Sequence, residues 1–550
     1  MSWNRSLRLA IVFAVCLPQA LAQQNPHAHH ESVGYVPREI LERAVKIRKG
    51  VGRVHETVKT GSPEAQVLYD QGLAYLHSYV WVEAARCFNQ SLRLDPNITM
   101  AHVGLSRAYS GLNDRAAARA ALENAKSLSG KAVDPERRRV ALRSQQLDAI
   151  DDLANVEKLK AYRKAIDEAL ALNANDAELW LLRGNAEEPS AAGRGQRGGR
   201  ESITFYEKAL AVSPNNFAAH HYLIHSCENI GDMECALRHG KEYARQAFAI
   251  PHARHMYGHD LRRVGRIEEA IEEFTRADQL ERAYYDGEKI SSDYDWHHQH
   301  NLDLLSTSYQ YQGRLMMAEK LMSEAFAIPS VDDGREFAKK EWPRFLLGRG
   351  RLNEALVAAK ALANGKYPGA RTIGHVIVGQ VLLEMNKTAE AVDELRAAEK
   401  QLQEVPRVAS GVSTSQGIVE PELKALRSEI LLRTGKMEEG RAMFKEVERG
   451  LRALLGPDAW SQALFRLESI AHLARSLGDW ELARHTAAQM VEHDAAYAGS
   501  HYALALVAEH DGDAATAQRE FALAARHWGK ADPDLAELKV IESKIASRLR

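Results

Sequence analysis

The sequence predicts an all-α protein, a right-handed superhelical solenoid built from helix–turn–helix repeats. Apolar residues recur at intervals of three and four, which is the periodicity of a helix with one buried face. No stretch shows the apolar–polar alternation with a period of two that is typical of a half-buried strand. A glycine followed four or five residues later by an alanine recurs along the chain. This spacing indicates a tight turn between two helices that touch.

The individual repeats follow from these marks. In the first unit, over residues 65–98, Gly72 and Ala84 allow two helices to approach, Phe88 fills the gap and Pro96 ends the second helix. The next unit starts at Thr99, and we expect about ten or eleven units in all. Later turns are marked by GRIEEA (265–270), GRLMMA (313–318), GRLNEA (350–355), GDWELA (478–483) and GDAATA (512–517), with weaker copies at MNKTAEA (385–391) and GKMEEG (435–440).

The first 22 residues have the pattern of a cleavable export signal. Arg5 and Arg8 precede a short apolar run at 9–17, and Ala20-Leu21-Ala22 fits the small-x-small cleavage site. We therefore expect cleavage after Ala22 and a periplasmic or secreted protein. Residues 23–62 would then form an N-terminal extension.

Composition and charge exclude some classes of partner. Hydrophobic residues make up 45% and charged residues 27% of the chain, and the net charge is −2. Removing residues 1–22 takes away two arginines and no acid, so the net charge becomes −4. This balance gives no electrostatic reason to bind nucleic acid or an anionic membrane. No later segment is apolar enough for a transmembrane helix.

Breaks in the repeat pattern define the predicted organisation. A Pro/Ser/Gly segment at 405–420 is expected to link a solenoid lobe at 63–404 to a C-terminal lobe with a capping helix at 421–550. The Gly/Arg segment at 190–200 is interpreted as a solvated loop, and 285–298 as a longer connection between two repeats. Cys227 and Cys235 flank one turn, where they are either a disulfide or two small buried side chains.

Three stretches resemble a group of exported bacterial tetratricopeptide-repeat proteins. They are SPEAQVLYDQGLAYLHSYVWVEAARCFNQSLRLDPNITMAH, HHYLIH and HARHMYGHDLRRVGRIEEA. The resemblance covers residues 50–320 best, and it departs at His102-Val103-Gly104, where members often have a Trp-Gly pair. It implies the superhelical fold and an exported setting, but no assigned reaction. It also implies that the first helix of each repeat lines a concave groove.

Two histidine pairs stand one repeat apart. His221 and His225 lie 34 residues before His255 and His259, and 34 residues is the length of one tetratricopeptide repeat. Residues four apart share one face of a helix, so each pair is expected to project together into the groove. Neighbouring helices lie roughly 8–10 Å apart, a gap that imidazoles from both sides can span.

Further polar residues are expected at the same groove. His77 would face it from three or more repeats away, and Trp296 could cover it. The candidate metal ligands are His221, His225, His252, His255, His259, His298, His300 and Asp303.

Three functions are compatible with this histidine cluster. Converging imidazoles favour a transition metal, with copper or zinc preferred, and Asp303 as a further ligand or orienting group. Alternatively, the groove binds a protein or peptide without metal, because solenoids offer extended concave surfaces. A metal-dependent enzyme is the third interpretation, and it would need a carboxylate such as Asp293, Asp295 or Asp303 at an open ligand position.

Known catalytic motifs do not support the third interpretation. Tyr222 follows His221 and Met256 follows His255, so neither pair is the His-Glu-x-x-His of zinc proteases. The chain also has no Gly-x-Ser-x-Gly nucleophile motif. The sequence therefore predicts a binding protein rather than an enzyme.

Overall fold

The computed structural model describes residues 32–405, 416–453 and 459–548. The predicted signal peptide and residues 406–415 of the predicted linker lie outside these ranges. In the described part, regular structure is helical apart from a short antiparallel hairpin of β1 (Ser32–Val33) and β2 (Val36–Pro37), which leads into α1 (Arg38–Leu41). The all-α solenoid that the sequence predicts is confirmed.

Seven consecutive helix pairs form the N-terminal half of the solenoid. They are α2 (Pro63–His77) with α3 (Trp81–Leu94), α4 (Thr99–Gly111) with α5 (Arg115–Leu128), α6 (Asp134–Ile150) with α7 (Val156–Leu172), α8 (Ala177–Ala186) with α9 (Arg200–Val212), α10 (Phe217–Asn229) with α11 (Met233–Gln246), α12 (Pro251–Arg263) with α13 (Ile267–Glu288), and α14 (Trp296–Tyr311) with α15 (Leu315–Ala327).

The second half continues the same architecture after a short helix. The helices are α16 (Asp333–Ala338), α17 (Glu341–Gly348), α18 (Leu352–Ala363), α19 (Pro368–Glu384), α20 (Thr388–Leu402), α21 (Gln416–Arg433), α22 (Met437–Arg452), α23 (Ala459–Ser476), α24 (Trp480–His493), α25 (Ala498–His510), α26 (Ala514–His527) and α27 (Ala536–Arg548). No helix of the described ranges is long and apolar enough to cross a bilayer.

The predicted glycine–alanine marks lie at the turns inside the helix pairs. Gly265, between α12 and α13, has φ of 78°, a left-handed conformation that glycine adopts without a steric penalty. Its partner Ala270 is fully buried, so a larger side chain would push the two helices apart. Where the weaker copy lacks the glycine, Asn386 takes the left-handed conformation with φ of 59°.

Close helix contacts in the first repeats also follow the prediction. A Cβ atom added to Gly72 would lie 2.8 Å from the ring of Phe88, and one added to Gly104 would lie 2.5 Å from the same ring. Phe88 is fully buried between these two helices. The missing side chains are thus what allows α2, α3 and α4 to pack around one aromatic ring.

The connection between the sixth and seventh helix pairs is shorter than the predicted segment 285–298. Helix α13 continues to Glu288 and α14 begins at Trp296, so only 289–295 connects them. Asp295 caps α14 by accepting a hydrogen bond from the His297 amide at 2.8 Å. This cap fixes the first turn of α14, which carries several histidines.

The segment 190–200 is a loop, as predicted, but it is only partly solvated. Its backbone is held by side chains from elsewhere in the solenoid: Tyr79 donates to the Arg194 carbonyl at 2.6 Å, and Asn229 donates to the carbonyls of Gln196 and Gly198 at 2.9 and 3.0 Å. Buried Glu188 accepts from the Arg197 amide at 3.1 Å. These hydrogen bonds hold the segment against Tyr79 and the end of α10.

The two predicted lobes share packed surface. Tyr311 donates to Asp494 at 3.1 Å, and the Asp532 amide donates to the Gly313 carbonyl at 3.1 Å. Buried residues of α14 and α15 belong to the same apolar cluster as residues of α23 and α24. The C-terminal helices therefore return onto the seventh helix pair.

Candidate metal centre

Three histidines from two neighbouring helices converge. His221 and His225 lie on α10, and His252 lies in the first turn of α12. The Nε2 atom of His221 is 3.0 Å from His252 Nε2 and 3.2 Å from His225 Nε2. All three side chains are buried. We call these residues the first histidine group.

The hydrogen-bond partner of His221 decides which of its nitrogens carries the proton. Its Nδ1 lies 2.6 Å from the backbone carbonyl of His77, which can only accept, so Nδ1–H donates. His221 Nε2 then has a lone pair that points at the two other Nε2 atoms. One lone pair cannot accept a full hydrogen bond from both neighbours, whereas a cation can take a lone pair from all three rings.

The spacing of the first histidine group suits a transition metal. Zinc binds imidazole nitrogen at about 2.0–2.1 Å, which places tetrahedral ligand atoms about 3.3 Å apart. The two observed nitrogen–nitrogen distances, 3.0 and 3.2 Å, are close to this value. Burial lowers the pKa of His225 to about 4 and that of His221 and His252 well below the ordinary value. The rings are therefore neutral, the form that binds metal.

A second histidine group lies one repeat further along. It consists of His255 and His259 on α12 and His300 on α14, whose ligand nitrogens lie within 4.8 Å of one another. His255 Nδ1 lies 2.9 Å from Asn301 Oδ1, and the Asn301 amide nitrogen donates to the Phe274 carbonyl at 3.0 Å. The amide is thus oriented with its oxygen toward His255, so Nδ1–H donates. His255 Nε2 is left buried and has no hydrogen-bond partner among the residues that the structure describes.

Glu228 lies between the two groups. Its carboxylate oxygens are each 3.7 Å from a histidine, one from His225 Nδ1 and the other from His259 Nδ1. The side chain is buried, and within the described part of the chain neither oxygen has a hydrogen-bond partner. Burial raises the pKa of Glu228 to about 7, although His225 and Arg263 oppose the shift. A carboxyl group in this position can support ligands of both groups.

His297 borders both groups from α14. Its ring centroid is 4.9 Å from that of His252 and 4.6 Å from that of His255. Its Nδ1 bonds to Glu281, and its Nε2 is buried and has no hydrogen-bond partner in residues 32–405, 416–453 or 459–548. Burial alone would raise the pKa of Glu281, but His297 and His298 together lower it, so the carboxylate accepts from His297 Nδ1–H. With Nδ1 directed at Glu281, Nε2 is the ring nitrogen of His297 on the side of the two groups' neighbouring rings, His252 and His255.

Six of the eight residues predicted as metal ligands fall into the two groups. His298 does not join them: its Nδ1 bonds to Glu281 at 2.9 Å, in a separate group with Asp278. The reason is helical geometry, because residues two apart, such as His298 and His300, do not share a face of a helix. Asp303 lies almost one turn beyond His300 on α14, and it belongs to none of the ligand groups found in the described residues.

The groove is less open than the sequence suggests. His221 and His255 have no exposed surface, and His225 has 8% exposed. Tyr79 contacts His221 with ring centroids 4.6 Å apart, and Trp296 donates to the Tyr79 carbonyl at 3.1 Å while stacking on His300. Trp296 lies beside the histidines, as the sequence suggests, with ring contacts to His252, His297 and His300. Because Tyr79 and Trp296 close the site, the histidines form a buried centre rather than a groove surface.

His77 is much nearer than the predicted distance of three or more repeats. Besides its carbonyl contact with His221, its ring bonds to the Tyr222 hydroxyl at 2.9 Å and to Glu178 at 2.8 Å. The superhelix brings the end of α2 against α10, which repeat counting along the chain does not reveal.

A cavity of about 340 Å³ reaches the histidines from one side. His252 and His297 lie at its wall, and Tyr79, Tyr284 and Trp296 provide aromatic surface. A small molecule in this cavity would lie next to His252 of the first histidine group and next to His297. Cavities of this size accommodate small ligands.

Sequence reasoning missed Glu228, Asn301 and the role of His297. Glu228 lies three residues after His225, a spacing that places both on one helix face, and this signal was available. Asn301 follows His300 directly and had no such signal.

Cys227 and Cys235 form a disulfide, which is one of the two alternatives that the sequence allowed. The bond joins α10 to α11.

No protein-family model matches the chain, and no curated protein matches its sequence. Solved structures with a similar fold include yeast Tom70, which is 12% identical, aligns with 76% of this chain and 93% of its own, and has a TM-score of 0.37. A tetratricopeptide repeat protein from Parabacteroides merdae is 14% identical, with 53% and 99% covered and a TM-score of 0.36. YrrB, a TPR protein with an unusual peptide-binding site, is 15% identical, with 44% and 93% covered and a TM-score of 0.24.

The successive helix pairs make this chain an all-α repeat solenoid. Its distinguishing feature is the buried pair of histidine groups between the fifth, sixth and seventh helix pairs.

Proposed function

We propose that the protein is an exported binding protein that holds transition-metal ions at two adjacent sites, one in each histidine group. The observation that carries the proposal is the convergence of three Nε2 atoms, with the proton of His221 committed to the His77 carbonyl. A backbone or carboxylate acceptor behind a ligand histidine is the arrangement that orients imidazoles toward metals.

Zinc or copper fits the ligand chemistry best. Neutral imidazole suits both ions, whereas magnesium and calcium prefer oxygen ligands. Each group offers three nitrogens, and the fourth position would be open to water, to His297 or to a molecule in the 340 Å³ cavity.

The disulfide supports an exported setting. Disulfides persist in oxidising compartments such as the periplasm and are rare in the cytosol. The Cys227–Cys235 bond and the signal-like residues 1–22 both point to that setting.

Any catalytic activity would depend on bound metal and on a carboxyl group close to it. Of the carboxylates that the sequence suggested, Asp295 is occupied as a helix cap and by the Tyr285 hydroxyl at 2.6 Å, and Asp293 is exposed. Glu228 is the carboxyl group that faces histidines of both groups. An activity screen is therefore best run on protein loaded with metal and compared with a Glu228 variant.

Metal content tests the proposal directly. Untagged protein exported to a periplasm and purified without chelators is analysed by mass spectrometry, and we expect about two equivalents of transition metal per chain. His225→Gln should remove the metal of the first group, and His255→Gln that of the second. His220→Gln is the matched control, because His220 lies on α10 and pairs with His239 at 2.8 Å, outside both groups.

Two results would change the assignment. One equivalent that only one of the two variants removes would restrict the metal to that group. Wild-type protein without metal, and without uptake of zinc or copper at neutral pH, would contradict the proposal. That outcome would favour the metal-free scaffold for a protein or peptide, to be sought among co-purifying chains.

A further inference from the structure

A second cavity, of about 330 Å³, shares Tyr79 with the cavity beside the histidines. Four arginines line it: Arg107, Arg115, Arg143 and Arg194. None of its lining residues, all from the described part of the chain, carries a carboxylate. A cavity with cations on its wall and no acid is electrostatically suited to an anion.

Arg143 carries a charge that the protein does not neutralise. It is 5% exposed, and its guanidinium donates to Ser106 Oγ at 3.0 Å, Ser110 Oγ at 2.5 Å and Gln146 Oε1 at 2.7 Å, which are all neutral. A fourth contact, to the Ser106 carbonyl at 2.8 Å, is also with a neutral group, so Arg143 forms no ion pair within the described residues. Burial and the nearby Arg107 lower the pKa of Arg143 to about 9, as expected for a buried cation without a counter-charge.

Arg194 reaches the same wall from the segment 190–200. It donates to the Ser110 carbonyl at 3.1 Å and to Asn113 Oδ1 at 3.0 Å, again neutral groups, and lies over the ring of Trp81. The other two arginines are already paired, Arg107 with Glu178 at 2.6 Å and Arg115 with Asp151 at 3.2 Å. Arg143 and Arg194 thus both donate to Ser110, and neither forms an ion pair within the described residues. Burial lowers the pKa of Arg194, and the carboxylates of Asp332 and Glu188 oppose this shift only in part.

The remaining wall is apolar. Trp81 and Tyr79 supply aromatic surface, and Leu147, Ile150 and Leu182 supply aliphatic surface. We propose that this cavity binds a small organic anion, with a phosphate or carboxylate head at Arg143 and Arg194 and an apolar body against the aliphatic wall of Leu147, Ile150 and Leu182. Arginine guanidinium groups suit such heads because they donate two parallel hydrogen bonds.

Calorimetric titration of the full chain at low ionic strength tests this site. The probes are phenyl phosphate, phthalate and inorganic phosphate. We expect one molecule of phenyl phosphate or phthalate to bind per chain, with an affinity that falls as salt is added. Arg194→Gln should weaken binding about tenfold, because a charged hydrogen bond is lost. Arg200→Gln is the control, since Arg200 is exposed and outside the cavity, and it should bind like wild type.

The probes also distinguish the sources of the anion. Tighter binding of phenyl phosphate than of phthalate would assign a phosphate head, and the reverse would assign a carboxylate head. If inorganic phosphate binds as tightly as phenyl phosphate, the apolar wall does not contribute to binding, and that part of the proposal is wrong. Arg143→Gln should also weaken binding, provided that circular dichroism shows it to be folded. If it is not folded, Arg143→Lys replaces it: lysine retains the charge but lacks the planar guanidinium, so binding should still be weaker.

The proposal is wrong if no probe binds wild-type protein at millimolar concentration. It is also wrong if Arg194→Gln and Arg143→Lys both bind as wild type does. The four arginines belong to neither histidine group, so this result is independent of whether metal binds.

Discussion

His221 and His255 share a chemical arrangement although they lie in different groups. Each directs Nδ1–H to a neutral acceptor, the His77 carbonyl in one case and the Asn301 side chain in the other. Each then has its Nε2 available within a group of three imidazoles. Because packing and hydrogen bonds set the ring orientation, metal ligands in such a site are positioned before the ion arrives.

Glu228 provides a prediction at the residue scale. Glu228→Gln keeps the size of the side chain but cannot supply a negative charge near His225 and His259. Since Glu228 is 3.7 Å from both, zinc affinity should fall about tenfold or more at both sites. Competition with a chelating dye measures the two affinities.

The comparison variants make this result specific. His225→Gln should weaken one site alone, while Glu228→Gln should weaken both. Unchanged affinity at either site in Glu228→Gln would show that the carboxyl group does not support that site.

The predictability of the site differs from residue to residue. The 34-residue step identifies His221, His225, His255 and His259, because the repeat places equivalent positions on one face. It does not reveal that His252 joins the first group and His300 the second, because that depends on how α10, α12 and α14 are displaced relative to one another. A spacing pattern contains no information on that displacement.

At the scale of elements, the centre depends on the first helices of three successive pairs. Helices α10, α12 and α14 contribute every histidine of the two groups, and the end of α2 contributes the His77 carbonyl. The turn after α10 is closed by the Cys227–Cys235 disulfide, which begins two residues beyond His225. A covalent link there restrains the helix that carries His221 and His225.

Removal of this disulfide tests its contribution. The bond closes a loop with a sequence separation of eight residues, for which chain entropy predicts a stabilisation of about 2–3 kcal/mol. We expect Cys227→Ser with Cys235→Ser to lower the thermal denaturation midpoint, and reductant to lower that of wild type but not that of the variant. Equal midpoints for wild type with and without reductant would contradict a stabilising role.

At the scale of the whole molecule, local and distant contacts were not equally predictable. The repeats could be predicted from the sequence, because each glycine turn and each buried alanine acts within one helix pair, as at Gly265 and Ala270. The packing of the C-terminal helices onto α14 and α15 could not be predicted. It depends on isolated side chains, such as Trp528 and Leu535, that contact Gly313. Such contacts join residues that are far apart in the sequence and carry no shared pattern.

Metal binding should stabilise one part of this solenoid rather than all of it. Each repeat packs mainly on its neighbours, so the stabilisation from a ligand is strongest in the repeats that hold it. Hydrogen exchange of metal-free and zinc-loaded protein should show slower exchange in α10, α12 and α14, while α19 and α20, which contribute no histidine to either group, change little. At a zinc concentration about 100 times the dissociation constant, the expected stabilisation is about 2.7 kcal/mol per site. Equal protection along the chain would contradict a localised centre, and protection confined to α10 and the first turn of α12 would assign the metal to the first histidine group alone.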